Sequence, residues 1–220
     1  MARLANNSLA GLNGNLGDMI FYQINGVTYV RRKPNKRTNA QKKRMKTSPI
    51  NERSQGMFKM AHQYLKGLKL VIAFGYQNFV KGASYPYHAC YSHIRLNSFA
   101  FDGREFHIDP SLVQLSRGTL MGPEDARAER TAEGVLFSWK DNSWISSAKP
   151  TDKAFLIIHN PVKKAAEWEE LGSPRSQTQF LMKRYYWDSE GQWYAYLAFS
   201  QENPYTKKQI LSDSVYLGVV

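Results

Sequence analysis

From Gly122 to the C-terminus, short β-rich runs recur with turn residues between them, and this rhythm restricts that half of the chain to antiparallel β structure. Seven strands are expected, over 125–131, 135–139, 154–159, 165–171, 178–184, 193–200 and 214–219. Glu133-Gly134, Asp141-Asn142, Asn160-Pro161, Gly172-Ser173-Pro174, the 188–191 stretch and Asn203-Pro204 separate them with residues that favour turns. The 13 Tyr, 11 Phe and 5 Trp fall largely in alternating runs, which suits packing across a pleated face. No repeat with a period of about 20–50 residues interrupts the pattern.

The first half reads differently. Residues 1–16 are small and polar, as expected of a poorly ordered arm or an edge segment. Asn25-Gly26 then sits between two β-rich runs, 19–24 and 27–32, and both residues tolerate the positive φ of a tight hairpin turn. Pro34 ends that ladder. Thr38 and Gln41 are spaced as a capping box opening a short, almost wholly polar helix to about Lys46. Ser48-Pro49 interrupts or restarts the helix, with Ser48 as N-cap and Pro49 at the first helical position. From about 51 to 79 apolar residues recur at three and four, including Met57, Met60, Ala61, Tyr64, Leu65, Leu68, Val71 and Ile72. Gly67 and Gly75 are expected to weaken or bend this helix. A second helix is expected over about 87–99, a turn at Asp102-Gly103, and a short strand at 112–115.

The expected fold is therefore mainly β with an α+β N-terminal part. A hairpin plus two helices, over 1–119, precedes an antiparallel β-sandwich of immunoglobulin or fibronectin-III type over 120–220.

Charge divides the chain more sharply still. Residues 1–80 carry 14 Lys and Arg against two acidic residues, a net of +12, whereas residues 81–220 carry 16 of each. The excess peaks at 31–46, where nine of sixteen residues are cationic and none is acidic. The candidate site for an anionic partner is Arg31, Arg32, Lys33, Lys36, Arg37, Lys42, Lys43 and Arg44. Such a segment can neutralise phosphates, with Tyr22 and Tyr29 near enough in sequence to stack on bases. It can equally dock an acidic protein, an anionic lipid surface, or only water.

Chemistry-bearing constellations are sparse. His88, Cys90 and His93 are the one cluster with metal-like spacing, and a structural zinc site wants a fourth ligand. A helical segment with a buried Cys is the simpler account, so no metal or cofactor is expected. No nucleophile elbow is present. Glu167, Glu169 and Glu170 suit a solvated strand edge as well as a carboxylate pair. Gly14 to Gly17 is too short for a phosphate loop and precedes a strand. Trp187, Trp193, Tyr194 and Tyr196, or the loop residue Trp144, would bind sugars only if exposed; core filling is the simpler reading for part of the run. One cysteine, no signal peptide and no apolar run of spanning length set the expectation of a cytoplasmic protein without a transmembrane segment.

Trp139 in VLFSW, the 155–159 run and WYAYLAFSQ before the last strand resemble a fibronectin type III domain. Across the whole chain, GNLGDMIFYQINGVTYVRRKP, the Thr38-x-Ala40-Gln41-x-x-Arg44 helix start, the stretch from Ile108 to Leu120 and the closing Ser212-Asp-Ser-x-Tyr-x-Gly218 resemble an uncharacterised bacterial family of the Bacteroides group. That resemblance implies no activity. It implies an unbroken helix where this chain has Thr47-Ser48-Pro49. The functional expectation is a non-enzymatic binding or assembly protein, with an anionic protein or a second copy as partner. Sequence-independent nucleic-acid binding and carbohydrate binding are the alternatives.

Overall fold

The computed structural model describes residues 2–3, 12–24, 26–46, 48–79, 85–183 and 191–220, in two compact units. The first comprises 1–55 and 80–85, the second 56–79 and 86–220. Strands predominate over helices.

In the first unit, β3 (Met19–Ile24) and β4 (Val27–Arg32) form the expected hairpin, with Ile24 opposite Val27 and Gly26 at φ 75°. Asn25 lies outside the described residues. Alternation puts Phe21, buried, and Thr28, also buried, on one face. Gln23 donates to Thr28 across the ladder at 3.3 Å. Tyr22, Tyr29 and Arg31 take the other face. The flanking edges are β1 (Ala2–Arg3) beside β4 and β2 (Gly14–Leu16) beside β3, giving the order β1-β4-β3-β2. The edge-segment reading of the N-terminus thus holds for these residues, and positions 4–11 lie outside the description.

Helix α1 (Asn39–Lys46) begins on the capping box read from sequence: Gln41 N–H donates to Thr38 Oγ1 at 3.3 Å, and Thr38 N–H to Gln41 Oε1 at 3.1 Å. A separate helix, α2 (Pro49–Tyr64), starts at Ser48, whose carbonyl accepts from Asn51 and Glu52. The two helices are distinct, as Ser48-Pro49 suggested.

The second unit departs from expectation at its helices. The stretch 51–79 is not one helix: α2 ends at Tyr64, α3 runs Lys69–Gly75, and a 3₁₀ turn follows at Gln77–Phe79. Gly67 at φ 94° makes the break, and a Cβ there would sit 2.3 Å from the Lys164 carbonyl oxygen. Helix α4 (Pro86–Asn97) follows, and β5 (Phe99–Phe101) pairs with β6 (Phe106–Ile108) across a turn that Asp102 holds by accepting from Arg104 N and Glu105 N. The expected strand at 112–115 does not form: a 3₁₀ turn, Pro110–Leu112, takes its start, because Asp109 caps it through Ser111 and Pro110 fits its first turn, and residues 113–115 have no regular structure.

Seven strands then follow close to their predicted positions: β7 (Glu124–Arg130), β8 (Gly134–Lys140), β9 (Lys153–Asn160), β10 (Ala165–Glu169), β11 (Gln179–Lys183), β12 (Tyr194–Glu202) and, after the unpredicted β13 (Gln209–Leu211), β14 (Val215–Val219). All pairings among them are antiparallel. One sheet has the order β11-β8-β7, and the other β10-β9-β12, with β13 and β14 both along the far side of β12.

Two apolar clusters explain why β9 and β12 are buried along almost their whole length. Leu156, Ile158, Leu197 and Phe199 join Val135, Phe137 and Trp139 of β8 in one cluster. Phe155, Ile157, Tyr196 and Ala198, on the opposite face of the same strands, join Leu65, Leu68, Ile72 and Ile94 from the helical region. The unit is thus layered, helices on one face of the larger sheet and the smaller sheet on the other. The helix-side cluster draws on residues from both sides of position 120.

Strands β13 and β14 behave as one strand interrupted at Ser212–Ser214, and the gap is filled by the 115–120 segment. Ser214 Oγ accepts from Leu115 N at 2.9 Å and Ser116 N at 3.3 Å, Ser116 Oγ donates to the Ser212 carbonyl at 2.8 Å, and Asp213 accepts from Gly118 N at 3.0 Å. Two of the sequence stretches that carry the family resemblance are therefore bound to each other. No helix among the described residues is long and apolar enough to cross a membrane.

Candidate functional site

The cationic segment leaves the hairpin at Arg31 and Arg32, crosses a stretch without regular structure through Lys33, Lys36 and Arg37, and enters α1, which carries Lys42, Lys43 and Arg44. All eight residues are exposed. For Lys42, Lys43 and Arg44 the exposure follows from composition, since α1 has no apolar stripe with which to bury a face. Lys33 N–H donates to the Asp18 carbonyl at 2.7 Å, which fastens the start of the segment to the hairpin. Arg32 approaches the Asp18 carboxylate at 3.9 Å with both side chains largely in solvent, a contact that water and salt screen heavily.

Two local arrangements go beyond a row of charges. On the hairpin face, the Tyr22 and Tyr29 rings stack at 5.8 Å with 19° between planes, and the Arg31 guanidinium lies 5.8 Å from the Tyr22 centroid. Between α1 and the start of α2, a cleft of about 470 Å³ is lined by Arg37, Gln41, Arg44, Met45, Ser48 and Asn51. Gln41, Arg44 and Met45 share one face of α1 by their spacing, while Arg37 precedes that helix and Ser48 precedes α2. Asn51 Nδ2 donates to the Met45 carbonyl at 2.9 Å and ties the two helices at this cleft. Arg37 and Arg44 are thereby brought together. Arg31, Arg32, Lys33, Lys36, Lys42 and Lys43 do not line it.

The other candidates fall apart in space. On α4, His88 is exposed, Cys90 is fully buried and His93 is half-buried. Burial pushes the Cys90 thiol up to about 12, and burial first, with Arg117 nearby, holds the His93 imidazole below its ordinary range. No three His, Cys, Asp or Glu side chains among the described residues gather as a metal site. Glu167 and Glu169 lie on β10, an edge strand of its sheet, and Glu170 accepts from the Trp168 indole at 3.3 Å. In the aromatic run, Trp193 and Tyr196 are buried in the two different clusters, and Trp187 is outside the described residues. Trp144 is the exposed member, on the β8–β9 connection.

Sequence reasoning passed over a buried polar centre. Arg175, with no solvent exposure, meets Asp152 through Nε at 3.2 Å, donates from Nη2 to the Met121 carbonyl at 2.8 Å, hydrogen-bonds the Asn142 amide oxygen through Nη1, and lies 3.7 Å from the Phe199 centroid. Its own carbonyl accepts from the Trp139 indole at 2.7 Å. The Gly-Ser-Pro-Arg turn around it looks solvent-facing in sequence, so nothing there announced burial.

A family model described as "Family of unknown function (DUF6266)" matches residues 11–218. No curated protein and no solved structure matches the chain.

Proposed function

We propose that the chain, which belongs to the DUF6266 family of unknown function, is a non-enzymatic binding or assembly protein whose cationic segment docks an anionic partner. The observation that carries this is the display of all eight candidate cations on the surface, with Arg37 and Arg44 set around one cleft. Arginine forks suit carboxylates and phosphates in two-point contacts. In this reading Arg37 and Arg44 grip the anionic group, and the remaining cations attract the partner at longer range.

A second reading, sequence-independent binding of single-stranded nucleic acid, is favoured by the Tyr22–Tyr29–Arg31 face, which offers aromatic and guanidinium planes beside the charge. The strand order β11-β8-β7 against β10-β9-β12-β13/β14 supports a fibronectin-III-like sandwich, since it corresponds to the E-B-A and C′-C-F-G pairings of that architecture. The sandwich would then be a second docking surface or a spacer. A bacterial, cytoplasmic protein is part of the same proposal.

The test is fluorescence anisotropy of a labelled single-stranded oligonucleotide and of a labelled polyglutamate peptide, each titrated across a salt series. Binding of either that weakens steeply with salt, and is lost in Arg37→Glu/Arg44→Glu, supports the docking role. Oligonucleotide binding alone selects the nucleic-acid reading. Absence of binding to both at low salt removes the cationic segment as a docking surface for these anions and defeats the proposal.

A further inference from the structure

The connection between β8 and β9 holds an apolar pair out of the protein on a backbone that resists collapse. Trp144 at φ 70° and Ser146 at φ 54° both take left-handed conformations, which cost side-chain-bearing residues energy and persist only where surroundings enforce them. Here the surroundings do. Trp144 N–H donates to the Ala148 carbonyl at 3.0 Å, and Ala148 N–H returns to the Ile145 carbonyl at 3.0 Å. Asn142, buried, donates to the Gly122 carbonyl and accepts from Arg175. Asp141 accepts from both the N–H and the hydroxyl of Ser143, and Ser147 Oγ accepts from Met121 N–H. These polar groups are engaged within the fold, and Trp144 is left 78% exposed with Ile145 49% exposed beside it.

That exposure bears on the kind of partner. The neighbour of Trp144 is the aliphatic Ile145 and not a second exposed ring, so the pair does not make an aromatic platform. A projecting aromatic–aliphatic pair on rigid backbone is a knob suited to a pocket, because its ordering cost is already met before binding.

The same unit carries a matching recess. Strands β10 and β11 are each the edge of their sheet, and a cleft of about 540 Å³ lies where they face one another. Its apolar lining includes Phe180 and Met182, and its charged lining is Glu167 and Glu169 against Lys183, while the Trp168 side chain takes the other face of β10 with the helix-side cluster. This volume lies within the range of about 300–1,000 Å³ that accommodates small ligands, and so has room for an indole with a neighbouring aliphatic group. Lys149, exposed and next to the Ala148 that closes the knob, supplies charge opposite to the two glutamates.

We propose that Trp144 and Ile145 of one copy seat in the β10–β11 cleft of a second copy, with Lys149 against Glu167 and Glu169. Knob and cleft are different patches of one surface, so one contact leaves a free knob on one copy and a free cleft on the other, which either meet across a two-fold axis in a closed dimer or propagate into chains or rings. It makes no use of the cationic segment, so it stands or falls independently of the docking role proposed above.

The test is sedimentation velocity of the full chain at concentrations up to the order of 100 µM, the range of weak self-association. The wild type is expected to form species larger than a monomer in a concentration-dependent way. Trp144→Ala is expected to weaken association roughly 30-fold or more, as loss of a central aromatic anchor does. Glu167→Lys/Glu169→Lys is expected to weaken it as well, and Lys149→Glu serves in its place if that variant fails to fold by circular dichroism. Mixing Trp144→Ala with Glu167→Lys/Glu169→Lys joins an intact cleft to an intact knob and yields a one-to-one dimer that grows no further. A wild type that stays monomeric throughout overturns the proposal. So does a Trp144→Ala variant that assembles normally, or a mixture that never pairs.

Discussion

Arg175 Nε donates to Asp152 Oδ2 at 3.2 Å, Nη2 lies 3.2 Å from the same oxygen, and neither side chain reaches solvent. Asp152 also accepts from Lys149 N–H at 2.8 Å and from the Gln201 amide at 2.9 Å, so one carboxylate holds three segments together. Burying such a pair costs desolvation energy that only near-complete hydrogen bonding offsets, and here the bonding is dense.

Removing one partner therefore strands the other charge. Asp152→Ala is expected to destabilise the protein by about 3–5 kcal/mol, the range for breaking a buried pair. Urea unfolding gives the check, together with the double variant Asp152→Leu/Arg175→Met, which should be less destabilised than Asp152→Ala. A double variant that is the weaker of the two would show that the pair itself, and not the orphaned charge, supplies the stability.

Ser214 Oγ accepts from two successive buried N–H groups, those of Leu115 and Ser116. Ser214→Ala leaves both without it and should cost about 1–3 kcal/mol. Gly118→Ala should be at least as harmful, since its Cβ would lie 1.7 Å from the Leu211 carbonyl oxygen. Both are read from thermal or urea unfolding. Wild-type stability in Gly118→Ala would mean that the 115–120 segment does not grip the β13–β14 gap.

His159 is fully buried beside Tyr64, and burial pushes its imidazole down to about 4. The unfolded chain binds the proton below about 6.5 while the folded one does not. Stability is thus complete above that value and falls as pH drops from about 6.5 to about 4, by roughly 3 kcal/mol in all. Unfolding midpoints measured at pH 7 and pH 4.5 should differ in the wild type, and His159→Phe should shrink the difference.

Arg37→Glu/Arg44→Glu should lower affinity for the anionic probes more than tenfold, while Lys42→Glu, off the cleft, should act more weakly and mainly through the salt dependence. Both positions are exposed, so the melting temperature should stay within about a degree or two of wild type, as for surface changes generally. Equal losses from Arg37, Arg44 and Lys42 reversals would mean that net charge acts without a focal cleft.

The strands were legible because each kept a local signature. Val135, Phe137 and Trp139 alternate with less buried neighbours, and turn residues bracket them, so β8 was placed within a residue at each end. The Thr38–Gln41 capping box and the Asn-Gly hairpin were legible for the same reason, since their partners lie within a few positions. Gly67 is legible as a weak point of the long helix, but that the helix ends there is not, because the apolar spacing continues through the break and the Lys164 backbone that leaves no room for a side chain at Gly67 is far away in sequence. The docking of Ser212–Ser214 on 115–120 was equally hidden, as was Arg175, whose burial depends on loops that meet only in three dimensions. Of the candidate site, the charges were visible in sequence; the pairing of Arg37 with Arg44 around a cleft, and the stacking of Tyr22 on Tyr29, required the fold.

Strands β9 and β12 lie between two apolar clusters, and this gives them a distinctive signature under saturation mutagenesis. A strand with one wet face tolerates polar replacements at every second position, giving a saw-toothed profile. From Ala154 to Ile158 and from Ala195 to Phe199 no position has a wet side, so the profile should be a flat trough, with the teeth returning only at Glu202. Genetic variation in this protein should therefore collect in its loops and its cationic segment, while positions 154–158 and 195–199 drift only among apolar residues of similar volume.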